Sequence, residues 1–396
     1  MLKKNRLFTP GPTPLLPVAQ AAMAFADVHH RTKDFRALYT RVLQDLQTFI
    51  GTSNDVILFT SSGSGAMEAS VANLTSPGDK VLVLTAGKFG ERWRDLTKAY
   101  GCASDVLSAE YGQTITPDQV RARITPDVRA IYVQATESST GVRHDVEGIA
   151  KVLRQSGSDA LLIVDAITGL GTTRFDVDGW GIDVIIGGSQ KAVMIPPGLA
   201  YCAVSSRAWD RMEAAKNPRY YFDLRKERKN AAKGESSFTP AIAMIAGLAA
   251  ALDYIRQSGG GDMAAGRDNL IANAEMCAEM TRSAATALGL KLFTQTSPGA
   301  ALTAISSPAG VDSGLFVKGY RDRFGAVISD GQGTMKGSMF RIAHLGYYDY
   351  LDTIGILAGL EQILMSVAPG KIRFGQGVAA AQEVYARATT PDAVTV

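Results

Sequence analysis

In the stretch VIIGGSQKAVMIPPGLAY, residues 184–201, one lysine, Lys191, follows an apolar run and precedes a rigid Pro196-Pro197-Gly198. Its neighbours are small or apolar, so its ammonium would be poorly solvated. Desolvation lowers a lysine pKa and frees the amine for Schiff-base chemistry, although a lone lysine is more often a surface residue. One apolar run earlier, LLIVDA (161–166) ends at Asp165. An ionised carboxylate there is costly unless a cation or a hydrogen bond meets it; a turn or capping residue is the plainer reading. A third segment, LFTSSGSGAMEASVANL (58–74), reads as a strand, a glycine-rich turn and a helix. Such a turn presents backbone N–H groups to a phosphate, but alone it is as readily an ordinary strand–helix connection. A dinucleotide fingerprint fails on spacing, because Glu68 stands where the third glycine belongs, and no P-loop Lys-Ser/Thr follows.

Taken together, an imine-forming lysine, a carboxylate for a pyridinium nitrogen and a phosphate seat fit pyridoxal 5'-phosphate (PLP). Such a set needs elements that deliver it to one edge of a sheet. The runs VILFT (56–60), KVLVLT (80–85), AIYVQAT (130–136), LLIVDA (161–166), DVIIGG (183–188) and AYCAVS (200–205) are near-continuously apolar, as strands buried on both faces are. Helix-like stretches such as 89–101 and 145–157 alternate with them, which predicts an α/β fold with a mainly parallel sheet flanked by helices. Ligands of open α/β sheets sit at the carboxyl ends of the strands, where Asp165 and Lys191 fall. Past residue 239 the rhythm changes. A helix opened by Thr239 and Pro240 is expected, then a helical stretch over 263–288, strands at 302–306 and 339–345, and a final helix from about 348. The expected organisation is an N-terminal segment (1–20), a large domain (21–261) and a smaller C-terminal α+β domain (262–396).

Composition narrows the function further. The 396 residues are 46% hydrophobic and 20% charged, with a net charge of +3, an ordinary globular balance. No basic run or aromatic-studded basic stripe accompanies that charge, so no nucleic-acid partner is expected. Cys102, Cys202 and Cys277 stand far apart without metal-ligand spacing, and neither they nor His29, His30, His144 and His344 form a ligand motif; no metal is expected. The start, MLKKNRLFTPGPTPLLP, lacks the apolar core of a signal peptide, and no apolar run reaches membrane-spanning length. A cytoplasmic protein without a membrane partner is the expectation.

The segments FTPGPTP (8–14), SSGSGAMEA, GKFGERW (87–93), ESSTGV (137–142), VDAITGLG, GGSQKA and RIAHLG (341–346) occur in this order. In them the chain resembles the class V aminotransferases of PLP fold type I, in the alanine–glyoxylate and serine–pyruvate aminotransferase group. The resemblance implies that Lys191 anchors PLP as a Schiff base and then moves a proton at the substrate Cα. Asp165 would keep the pyridine nitrogen protonated. Ser62, Gly63, Ser64, Ser138 and Gln190 fall at cofactor-contacting positions. Phe89 stands where the family stacks an aromatic, often Trp, on the pyridine ring. Thr239 matches a threonine that reaches the phosphate of a neighbouring subunit, which implies a homodimer; Ser236 replaces a nearby family tyrosine with the same task. Gly11 would bring bare backbone near the substrate, and Arg341 would clamp the substrate α-carboxylate. The implied reaction is a ping-pong exchange between a small L-amino acid, alanine or serine, and a 2-oxo acid, glyoxylate or pyruvate. Aspartate as donor is the alternative, as is a PLP lyase or desulfurase; the latter needs a mobile cysteine, which none of the three resembles. A non-enzymatic relative is disfavoured by the intact Lys191, Asp165 and Arg341.

Overall fold

Alternate residues of the central strands face opposite sides of one sheet, and both sides are covered. In Lys80–Thr85, Val81 and Val83 enter one core while Leu82 and Leu84 enter the other; in Leu161–Asp165, Leu161 and Ile163 part in the same way from Leu162 and Val164. A period of two with both faces buried is what a continuous apolar run encodes. One core is closed by the helices Lys33–Ile50, Val146–Gln155 and Ile242–Ser258, through residues such as Phe35, Ile149 and Leu248. The other is closed by Gly63–Leu74, Lys88–Ala99 and Ser206–Met212, through Met67, Trp93 and Trp209. The computed structural model describes residues 2–370 and 372–389.

The sheet has seven strands in the order Asp55–Ser61, Gly198–Val204, Val184–Gly188, Leu161–Asp165, Val128–Gln134, Lys80–Thr85 and Ala103–Ser108. Every neighbouring pair is parallel except those made by Gly198–Val204, which runs against both its neighbours. The expected α/β fold with a mainly parallel, helix-flanked sheet is therefore present. A three-stranded antiparallel sheet, Leu302–Ser306, Met339–Ala343 and Ser329–Asp330, lies in the C-terminal part. Its core includes Phe316 stacked on Phe340, with ring centroids 4.5 Å apart, and buried Tyr320. The 25-residue helix Met263–Ala287 joins the large core at Met263 and the C-terminal core at Met280 and Ala284. The N-terminal segment also reaches the C-terminal core: Arg6–Leu7 pairs in parallel with Ala326–Val327, and Phe8 is buried there.

Four local expectations need correction. The helix expected from Thr239-Pro240 begins at Ile242, because the Ala241 N–H is held 3.2 Å from Thr60 Oγ1 at the end of the first sheet strand. The single C-terminal helix is two, Tyr350–Val367 and Gln376–Thr389, parted by a stretch that holds Gly370 and Gly375 at φ of +79° and +85°. The edge strand Ala103–Ser108 was not foreseen; it is half-exposed and carries no apolar run. Finally, Tyr350–Val367 is long and apolar enough to cross a membrane, with a mean hydropathy of 1.2 over 18 residues. Its residues Leu357, Leu360 and Leu364 pack in the C-terminal core, and its Glu361 accepts the N–H groups of Gly375, Gly377 and Val378, which marks a core helix.

Candidate active site

Five strand ends on the carboxyl edge supply the cluster. Leu161–Asp165 ends on Asp165, which is 5% exposed and whose Oδ1 accepts the Ile167 N–H at 2.9 Å. Burial pushes this carboxyl up to about 6, while the Ile167 N–H and the charges of Lys191 and Arg92 pull against it. The neighbouring strand Val184–Gly188 leads through Ser189 and Gln190 to Lys191, which is 8% exposed. Burial draws its ammonium down to about 8; Asp165 opposes that shift, and Arg341 and Arg92 reinforce it. Lys191 and Asp165 thus share one buried field. The plain surface reading of the lysine fails, whereas the plain turn reading of the aspartate holds, since it braces the Ile167 turn while its charge also acts on the Lys191 amine.

The Lys191 turn is held from outside the sheet by the N-terminal segment. Thr13 N–H donates to Gln190 O at 3.2 Å, Thr13 Oγ1 to Lys191 O at 3.1 Å, and Leu16 N–H to Met194 O at 2.9 Å. Met194 itself sits at φ +58°, in the left-handed region that a non-glycine residue rarely holds. The Lys191 amine donates to the Pro10 carbonyl. Gly11 follows at φ +136°, and a Cβ there would lie 2.6 Å from Lys191 Nζ, so only glycine lets the backbone pass so close.

At the end of Asp55–Ser61, Ser62 caps the helix Gly63–Leu74 without a side-chain bond to its first turn. Gly63 packs against Ile167 from the Asp165 loop, where a Cβ would meet Ile167 Cδ1 at 2.4 Å. The Gln190 Oε1 is buried with no partner. Past the end of Lys80–Thr85, Phe89 opens the next helix, and Arg92 lies over its ring, 4.8 Å from the centroid, while donating to Ser64 Oγ at 2.9 Å.

Strand Val128–Gln134 runs on into the short strand Thr136–Glu137, paired with Val142–Arg143, and Ser138 follows in the turn between them. Glu137 is fully buried and accepts the N–H groups of Phe89 and Gly90 at 3.0 Å and of Ser139 at 3.1 Å. Burial pushes its carboxyl up, against those donors. It therefore fixes the start of the Phe89 helix from across the site, with the sign that a helix N-terminus favours. Arg341 enters from Met339–Ala343 of the C-terminal sheet. It donates to Ser138 O at 2.8 Å and to Asp330 O at 2.6 Å, and its Nε is buried without a partner. Burial lowers its guanidinium to about 10, with Glu137 and Asp330 opposing.

So Asp165, Gln190, Lys191, Ser62, Gly63, Ser64, Phe89 and Ser138 follow strand ends on one edge of the large sheet, where Gly11 of the N-terminal segment meets Lys191 and Arg341 of the C-terminal sheet meets Ser138. Thr239 does not join them: it is exposed, on the segment tied to Thr60. Two residues within the quoted motifs were passed over, Glu137 and Arg92. Glu137 carried a usable signal, a carboxylate close behind a buried strand, the same that singled out Asp165. His144 is buried, paired with Gln134 O at 2.9 Å and drawn down to about 4; His344 pairs with Thr303 at 2.9 Å and is drawn down to about 3. Both stay neutral.

The donor set suits PLP: a buried amine of lowered pKa for the aldehyde, a buried carboxylate beside it, a helix N-terminus for the phosphate and an arginine with an unpaired donor. The comparisons with known proteins agree. The family model Aminotransferase class-V matches residues 18–289. The chain is 31% identical over 396 residues to the L-aspartate–glyoxylate aminotransferase of Paracoccus denitrificans, covering 98% of each. It is 36% identical over 389 residues to a protein of Anabaena cylindrica named soluble hydrogenase 42 kDa subunit, covering 96% of this chain and 99% of that one. The crystal structure of pyridoxamine–pyruvate aminotransferase from Mesorhizobium loti superposes with a TM-score of 0.90 at 26% identity, covering 98% of both. On this match of family model, relatives and fold, the chain belongs to the class V aminotransferases, a PLP-dependent family.

Proposed function

We propose that this enzyme transfers the amino group of a small L-amino acid, alanine or serine, to a 2-oxo acid, glyoxylate or pyruvate, by a ping-pong mechanism at Lys191. The observation that carries the reading is the burial of Lys191, Asp165 and Arg341 at one site, where Arg341 reaches the Ser138 backbone and keeps an unpaired Nε. When bound, PLP supplies the electron sink for the Cα carbanion and carries the amino group between half-reactions. The rest falls to the chain. Lys191 anchors the cofactor and, with its amine drawn toward neutrality, takes and returns the proton at Cα. Asp165 holds a proton at the pyridine nitrogen, aided by a site whose low polarity strengthens that pairing. Arg341 grips the α-carboxylate of donor and acceptor in turn. Ser62, Gly63, Ser64, Ser138 and Gln190 would hold the cofactor, and Phe89 would supply an apolar face for it.

Two observations bear on substrate size and class. The Pro10–Gly11 backbone rests on the Lys191 amine, which favours a small side chain beside Cα. The three cysteines suit no desulfurase: Cys202 and Cys277 are buried in a strand and a helix, and the half-buried Cys102 thiol is pushed up by burial. Aspartate remains the second reading for the donor, favoured by the Paracoccus relative. The proposal includes a homodimer in the cytoplasm, with residues 21–261 as the cofactor domain and 262–396 as the smaller domain. The test is a screen of amino donors against glyoxylate, pyruvate and 2-oxoglutarate with product analysis. Alanine or serine turned over with glyoxylate or pyruvate supports the reading; turnover of aspartate alone replaces the donor, and no transamination with any pair refutes it.

A further inference from the structure

We propose that Arg92 is a cofactor-phosphate ligand, supplying the charge that the serine–glycine turn lacks. A phosphate monoester carries a charge of about −1.5 to −2 at neutral pH. The N-terminus of Gly63–Leu74 offers the equivalent of roughly half a positive charge, and residues 61–66, SSGSGA, contain no cation. The turn alone leaves most of a phosphate dianion uncompensated.

Arg92 is the cation that the fold brings to this turn. Its Nη1 donates to Ser64 Oγ at 2.9 Å, inside the first turn of the helix. A neutral hydroxyl is a weak acceptor for a guanidinium, and among the described residues no carboxylate stands within ion-pair distance of Arg92. Its helix neighbours differ: Lys88 pairs with Glu91 at 2.9 Å and Arg94 with Asp95 at 2.9 Å. Arg92 is also oriented, since its guanidinium lies over the Phe89 ring at 4.8 Å from the centroid. Its charge is felt at Asp165 and Lys191 alike. A planar, permanently charged fork with donors to spare, beside a hydroxyl and a helix N-terminus, is a phosphate site by chemistry. It lies in the same chain as Lys191, so it needs no neighbouring subunit.

The inference rests on the reading that the phosphate sits at the Ser62–Ser64 turn, and the experiment separates the two. Full-length protein freed of cofactor is retitrated by equilibrium dialysis with PLP and with pyridoxal, which lacks the phosphate. Arg92→Gln is expected to weaken PLP about ten- to hundredfold, while pyridoxal is held as by the wild type, which also shows that the variant is folded. Arg92→Lys should recover part of the loss. An equal fall for both ligands would overturn the inference, because Arg92 would then act through Phe89 or the fold. Ser64→Asp, which puts a carboxylate at the turn, tests the underlying reading. If it selectively loses PLP while Arg92→Gln changes nothing, the turn holds the phosphate and Arg92 does not. If Ser64→Asp leaves the preference for PLP over pyridoxal intact, the seat lies elsewhere and both fall.

Discussion

Asp165 and Lys191 are costly residues to bury, and each makes the other tolerable. Asp165 is raised by burial to about 6, so in the cofactor-free protein its contribution to stability is present below about pH 4 and lost as pH rises to about 6. Asp165→Asn removes that dependence. Between about pH 4 and pH 6 the variant should therefore lack the fall in stability with rising pH that the wild type shows, a difference in slope measurable by urea unfolding at a series of pH values. The same variant should bind PLP yet lose roughly a hundredfold or more in turnover, because an amide cannot keep the pyridine nitrogen protonated. Near wild-type turnover would make Asp165 a structural residue only. Arg341→Lys keeps charge but loses the two-pronged donor. It should lower kcat/KM for donor and acceptor alike by about ten- to hundredfold, with PLP affinity nearly unchanged. Steady-state kinetics with each substrate varied would show it, and an effect confined to one substrate would place Arg341 in a side-chain pocket. At this scale the sequence was readable for Lys191 and Asp165, since a charged residue closing an apolar run has few reasons to be there. Arg92 was not readable, because what distinguishes it from Lys88 and Arg94 is that no carboxylate among the described residues pairs with it, which only the fold reveals.

The elements that deliver these residues are the strands whose alternate side chains feed two cores, and their apolar runs made them legible. The strand Ala103–Ser108 was hidden because an edge strand with a half-exposed face needs no such run. The helix start at Ile242 was misplaced because a tertiary bond, Ala241 N–H to Thr60, outweighs the local capping signal of Thr239-Pro240. The N-terminal clamp on the Lys191 turn was foreseen only as a glycine near the substrate; its work is to pin the turn. Gly11→Ala should therefore harm function more than stability. Adopting φ +136° costs about 1–3 kcal/mol, but the new Cβ would stand 2.6 Å from Lys191 Nζ and force the amine aside. Thermal melts and turnover measured together would check this. A variant with full activity would mean that the lysine does not depend on the clamp.

In the whole molecule, the site draws on the sheet edge, the N-terminal segment and, through Arg341, the C-terminal sheet, so its assembly depends on how these parts pack. Interchain contacts leave no periodic signal in a sequence, and the proposed homodimer rests on the resemblance of Thr239 and on its exposed position. Sedimentation of the active protein should give a dimer; an active monomer would contradict the role given to Thr239. The central claim is that Lys191 anchors PLP at this edge. It is tested most directly by borohydride reduction of the purified enzyme followed by peptide mapping. A single reduced PLP adduct is expected on the peptide containing Lys191, and none in Lys191→Ala. An adduct on a different lysine, or one that persists in Lys191→Ala, would contradict it.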